Sequence, residues 1–142
     1  MNIITLGSFE IFHRGHLILL KKCRELADYH KVVVGLNTDQ FIEKYKGNSP
    51  VIGYEERKAI ILETGLVDGV IPNDQSGGNA RDVIKESRAD LIVIGSDWAR
   101  KDYVGQLGID WKWLDINNIG IVYLNYTHSI STTIIKQRLN GH

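Results

Sequence analysis

Cysteine occurs once in this 142-residue chain, at Cys23, and proline only twice. A lone thiol excludes an internal disulfide and any zinc cluster built on cysteines. In HLILLKKCRELA it lies three residues after Leu20 and three before Leu26, a spacing that suits a small apolar residue on the buried face of a helix. Net charge is also missing, since 17 Lys+Arg balance 17 Asp+Glu. The chain therefore lacks the broad field that draws a protein to nucleic acid or to an anionic membrane, and neither partner is expected. No apolar run approaches the roughly 20 residues that span a bilayer, and MNIITLG has no basic region leading into a long apolar one. The expected location is the cytoplasm. Internal repeats and low-complexity tracts are absent as well.

What is present is a regular alternation. The apolar run IITLG precedes a helical pattern from about His16 to Tyr29, and KVVVGL then reads as a fully buried strand. A helix over YEERKAIILET, a strand at GVIP, a helix over ARDVIKESR, the strand DLIVIG, the strand GIVYL and a last helix STTIIKQRL follow. This order predicts an α/β fold, a Rossmann-like open parallel sheet of about five strands with helices on both faces, in one domain over residues 1–142. Two segments depart from the pattern. FIEKYKGNSPVIG has turn signals at Gly47, Asn48 and Pro50 and reads as a loop. DWARKDYVGQLGIDWKWLDINN carries the three tryptophans and reads as a partly helical cover near the strand ends.

In an open parallel sheet, ligands gather beyond the carboxyl ends of the strands. The first strand runs into HRGH, the second into NTD, and the fourth into GSDW, so the unusual side chains share one edge. His13 and His16 stand three apart with Gly15 between them, at a strand-to-helix junction. Zinc would need a third ligand and commonly takes i,i+4 histidines on a helix. A first helical turn instead offers unpaired N–H groups and a positive dipole end, and glycine lets a ligand approach the backbone. That pattern fits a nucleotide phosphate, with both imidazoles donating to phosphoryl oxygens as charge builds on them.

Ser131, Thr132 and Thr133 start the last helix. One hydroxyl would suffice as a cap, so three in a row with Lys136 a turn later suggest a second anion site. Lys44 and Lys46 in EKYKG would ordinarily be solvated charges. Arg57 in YEERK is either a surface ion-pair partner of neighbouring glutamates or a phosphate contact, and Asp39 is placed to cap a helix. Asp97 and Trp98 follow a strand end, where they line a pocket or cover it.

GSFEIFHRGH resembles the Gly-Thr-Phe-Asp…His-x-Gly-His signature of the cytidylyltransferase group within the nucleotidyltransferase superfamily, and ISTTIIK resembles its Ile-Ser-Thr/Ser-Thr…Lys phosphate motif. The likeness extends to the glycerol-3-phosphate cytidylyltransferases, because LNTDQF, YEERKAIILET, VDGVIP and IGSDW fall in order between the two motifs. The resemblance implies that His13, His16, Lys44 and Lys46 are catalytic. It implies nucleotide contacts from Gly7, Ser8, Phe9, Gly15, Arg57, Gly95, Asp97, Ile130, Ser131, Thr132 and Thr133. For the acceptor it implies Glu10, Lys46, Arg57 and Trp98. It further implies transfer of CMP from CTP to a small phosphomonoester, a magnesium ion held mainly by nucleotide phosphates rather than by a protein site, and a homodimer. Adenylyl transfer to a sugar phosphate, or a nucleotide-binding module without catalysis, are the competing expectations. Four departures bear on the acceptor: Glu10 replaces an aspartate, Ser96 another aspartate, and Gly65 and Tyr126 stand where relatives carry arginine.

Overall fold

The computed structural model describes residues 1–75, 80–95 and 107–124. Five strands, β1 (Ile3–Gly7), β2 (Val32–Asn37), β3 (Gly69–Asn73), β4 (Leu91–Gly95) and β5 (Gly120–Leu124), form one parallel sheet in the order β3-β2-β1-β4-β5. Period-two alternation sends neighbouring residues to opposite faces. Ile3, Val32, Val34 and Leu36 join one core cluster, and Ile4, Leu6, Ile92 and Ile94 join another. The first cluster is closed by α1 (Arg14–Ala27) through Leu19, Leu20, Cys23 and Ala27, and by α3 (Tyr54–Glu63) through Ile61. On the other face α4 (Arg81–Glu86) contributes Ile84 and α5 (Trp111–Ile116) contributes Leu114. The expected open sheet with helices on both faces is what forms.

The sheet winds one way from β1 to β3 and the other way from β4 to β5, so the reversal lies between β1 and β4. There the pairing is short. Only Ile3↔Leu91 and Ile4↔Ile92 are in register, whereas β1 and β2 pair over the full run from Ile3↔Val32 to Gly7↔Leu36. Beyond the second residue β1 and β4 no longer bridge, and their carboxyl ends bound the crevice where this class of sheet binds ligands.

Three expectations change. The first six residues of the segment read as a loop, 41–46, belong to α2 (Asp39–Lys46), capped by Thr38, whose side chain accepts from Phe41 N, and anchored by the fully buried Ile42, whereas 47–53 is the loop expected. The turn signals begin where the helix ends: Gly47 closes the helix in left-handed backbone (φ 85), its N–H donating to the Glu43 carbonyl at 2.7 Å. A single apolar anchor in two turns is too little periodicity to see in sequence. Second, the described part of the tryptophan-rich segment is a crossover rather than a cover at the strand ends. Leu107, Ile109 and Leu114 are buried in the second cluster, and Gly120 N bonds to Asp90 O at the start of β5. Third, α1 begins two residues earlier than expected and stops at Ala27, because Asp28 takes a positive φ of 56°.

Candidate active site

β1 ends at Gly7 and the chain turns sharply. Phe9 takes φ 47, a conformation uncommon for a residue with a side chain, and the residue is 6% exposed. A Cβ on Gly7 would lie 3.3 Å from that ring, so glycine leaves the room that Phe9 fills. The ring sits 4.8 Å from the His16 imidazole, and Phe12 flanks it at 5.5 Å. Phe9 and Phe12 thus form an apolar wall behind the histidine.

His13 is the N-cap of α1. Its Nδ1 accepts from Gly15 N at 3.0 Å, and His16 Nδ1 accepts in return from His13 N at 3.2 Å. This is a capping box built from two histidines in place of the usual hydroxyl and carboxylate. It has a chemical consequence. A neutral imidazole that accepts at Nδ1 carries its proton at Nε2, so both rings are held as Nε2–H donors. The rings stack at 3.9 Å. Burial, and then the neighbouring His13, push the His16 pKa down to about 3, so His16 is a neutral donor throughout the neutral range.

Glu10 lies three residues before the cap and is only 2% exposed. Its carboxylate pairs with Lys46 Nζ, which α2 delivers in its last turn. Because this segment is a helix, Lys44 and Lys46 project about 200° apart, and the ammonium group that meets Glu10 is that of Lys46. Lys44 is exposed in the same turn.

Arg57 is not the surface ion-pair partner of neighbouring glutamates that its sequence context allowed. It is 1% exposed, and four of its five N–H groups are committed: Nε to Ile52 O at 2.9 Å, Nη1 to Ser8 O at 2.7 Å and to Asn37 O at 2.9 Å, and Nη2 to Asp39 Oδ1 at 2.7 Å. It ties together the carboxyl ends of β1 and β2 and the first residue of α2. Asp39 follows the cap rather than forming it, and its other oxygen accepts from Tyr54 N at 3.3 Å.

Gly7, Ser8, Phe9, Glu10, His13, Gly15, His16, Lys46 and Arg57 are therefore brought together at the carboxyl edge, on or beside the β1–α1 junction. Gly95 ends β4, buried, on the other bank of the crevice. Ser96, Asp97, Trp98, Tyr126, His128, Ile130, Ser131, Thr132, Thr133 and Lys136 lie outside the described residues. Gly65 closes α3 with φ 72, a backbone state that favours glycine over a side chain. Sequence reasoning missed Asn37, Tyr45 and Asn73. Asn37 Nδ2 donates to Ser8 Oγ at 2.9 Å, Asn73 Nδ2 donates to Asn37 Oδ1 at 2.9 Å, and the Ser8 and Tyr45 hydroxyls bond at 2.7 Å. Polar residues ending two adjacent buried strands were the available signal for the asparagines, which face each other in register.

Comparison with known proteins places the chain in a family. A family model described as cytidylyltransferase-like matches residues 4–138. The glycerol-3-phosphate cytidylyltransferase of Staphylococcus aureus (strain NCTC 8325 / PS 47) is 34% identical over 139 residues, covering 98% of this chain and 95% of that one. The enzyme of the same name from Bacillus subtilis (strain 168) is 35% identical over 141 residues, covering 98% and 97%. In fold, the chain is similar to a solved lipopolysaccharide core biosynthesis protein from Thermoplasma volcanium GSS1, with a TM-score of 0.66 and 23% identity, over 88% of this chain and 94% of that one. With the match running through both histidines and almost to the end of the sequence, the chain belongs to the cytidylyltransferase-like family.

Proposed function

We propose that the protein transfers CMP from CTP to a small phosphomonoester, a phosphoalcohol such as glycerol 3-phosphate or a sugar phosphate, releasing pyrophosphate. The observation that carries this reading is the histidine capping box. It fixes two neutral Nε2–H donors side by side at the switch point of the sheet. Family membership supports nucleotidyl transfer, and the relatives' names support CTP and glycerol 3-phosphate as the first substrates to try.

In this mechanism an acceptor phosphate oxygen attacks the α-phosphorus in line. The bond from phosphorus to the bridging oxygen breaks, and its electron pair leaves with pyrophosphate. His13 and His16 donate to the nonbridging oxygens as their charge grows, with no proton transferred, because a neutral imidazole gives up its Nε2 proton only far above neutrality and His16 takes a second proton only near pH 3. Lys46 exchanges Glu10 for phosphate oxygens, and Lys44 screens charge from the outer side of the same turn. Arg57 acts by holding Ser8 and Asp39 in place. Ser131 to Thr133 grip the leaving end. Among the described residues no group of three or more His, Cys, Asp or Glu converges as a metal site. Magnesium, when bound, would sit on the nucleotide phosphates and water and neutralise their charge.

The test is pyrophosphate release with magnesium and CTP or ATP against glycerol 3-phosphate, ethanolamine phosphate, choline phosphate and sugar phosphates. Release with CTP and one acceptor is expected, and His16→Ala should lower kcat on the order of a hundredfold, the scale of losing one preorganised donor. Turnover with ATP alone would overturn the choice of base. Tight CTP binding without turnover would replace the enzyme with a binding module.

A further inference from the structure

We infer that Tyr45 is a positioning residue, which clamps the lysine-bearing end of α2 to the Ser8 hydroxyl beside the histidine pair. The catalytic part of this inference rests on the nucleotidyl-transfer reading above. The clamp itself is a matter of geometry.

Ser8 is a fixed point. Its carbonyl accepts from the buried Arg57 guanidinium at 2.7 Å, and its Oγ accepts from Asn37 Nδ2 at 2.9 Å. The Asn37 amide is tied in turn to the neighbouring strand, its Oδ1 accepting from Asn73 Nδ2 at 2.9 Å. Onto this anchor Tyr45 Oη docks at 2.7 Å. The phenol ring is braced edge-on by Phe41, one helical turn earlier, at 5.0 Å and 60°. Next along the helix, Lys46 reaches Glu10. Consecutive helix residues thus engage residues two apart in the turn after β1, and both links hold the same end of α2 against the site.

The hydroxyl pair has a second use. With Asn37 donating to Ser8 Oγ, two hydroxyl protons remain and only one lies between the oxygens. Whichever residue donates, the other keeps an O–H for a bound nucleotide or acceptor phosphate. The clamp therefore orders Lys46 and presents a neutral donor beside it. At its amino end α2 needs no such help, because Arg57 already holds Asp39 there.

The experiment combines kinetics with amide hydrogen exchange on Tyr45→Phe, Ser8→Ala and the double variant. Phenylalanine keeps the ring against Phe41 and removes only the hydroxyl. In Tyr45→Phe, kcat should fall about fivefold to twentyfold while the KM for CTP and the midpoint of thermal unfolding stay close to those of the unmodified protein. Ser8→Ala should cost less on top of Tyr45→Phe than it does alone, because the Tyr45–Ser8 link is then already gone and only the Ser8 donor and its bond from Asn37 remain to be lost. Exchange should quicken at the Gly47 amide, which closes the carboxyl end of α2, and stay unchanged at the Ile42 amide, which bonds to Thr38 O at the other end. Unaltered kcat, fully multiplicative losses, or equal exchange at Gly47 would each overturn the clamp. If the protein turns over no acceptor at all, the nucleotidyl-transfer reading fails, and the exchange comparison still decides the clamp by itself.

Discussion

Arg57 and Lys46 hold opposite ends of one short helix, each through a carboxylate, and the two pairs are built in opposite ways. In the first the cation is buried and the anion half open: the Arg57 side chain is 0% exposed and that of Asp39 is 42%. In the second the anion is buried and the cation open, with Glu10 at 2% and Lys46 at 37%. A guanidinium withdrawn from water must satisfy its donors inside the protein, and Arg57 does so with three backbone carbonyls and one carboxylate. An ammonium at the surface is readily taken up by water, so the cost of parting this pair falls on the buried Glu10 carboxylate. One end of α2 is thus closed by a buried cation, and the other presents a half-exposed ammonium at the crevice.

The strongest way to break the comparison is Arg57→Ala, which strands Asp39 and three carbonyls at the centre of the carboxyl edge. It should cost about 3–5 kcal/mol, the scale of breaking a buried pair from one side, read as a lower urea midpoint. Arg57→Lys should recover little of this loss, since one ammonium cannot reach four separated acceptors. Lys46→Met should show the reverse profile. Its urea midpoint should drop by less than that of Arg57→Ala, because one donor to the buried Glu10 is lost rather than four bonds, while kcat falls at least tenfold; a stability loss equal to that of Arg57→Ala would erase the distinction between the two ends.

His16 sharpens the contrast through pH. The folded state refuses the proton until a pKa of about 3, whereas an unfolded histidine takes it near 6.5. Between these values the unfolded chain binds more protons, so stability falls as pH drops from about 6.5 towards 3 and is insensitive to this group above that window. Urea titrations at stepped pH should give a slope approaching about 1.4 kcal/mol per unit at its steepest. His16→Asn should flatten it, whereas an unchanged slope would show that His16 is not the group refusing the proton. The smallest effect concerns Cys23, buried on the inner face of α1 with its thiol pushed up to about 12 by burial. A maleimide reagent should leave the native protein unlabelled at pH 8 and modify it only on unfolding.

The fold was largely legible, because it rests on local signals. Ile3, Val32 and Val34 on one face and Ile4, Ile92 and Ile94 on the other follow from strand period alone. The same is true of His13 and His16, whose bonds close within three residues of backbone. The helix at the start of the segment read as a loop, and the choice against a surface ion pair for Arg57, were not legible for one reason: their partners are remote. α2 shows a single buried anchor in its own sequence, and the contacts that hold it come from the turn after β1 and from α3.

The sequence by itself determined the alternation of strands and helices, the position of the histidine pair at a strand-to-helix junction, and the kind of chemistry such a junction supports. Those properties depend on spacing, turn chemistry and capping, which act over a few residues. Only the tertiary structure decided that Arg57 is a clasp, that Lys46 rather than Lys44 meets Glu10, and that Tyr45 touches Ser8. The acceptors of Arg57 Nη1 lie 49 and 20 residues away, and Tyr45 lies 37 residues from Ser8. Separations of that length carry no periodic trace in sequence, and burial and hydrogen-bond satisfaction select the partners only once the sheet has brought its carboxyl ends together.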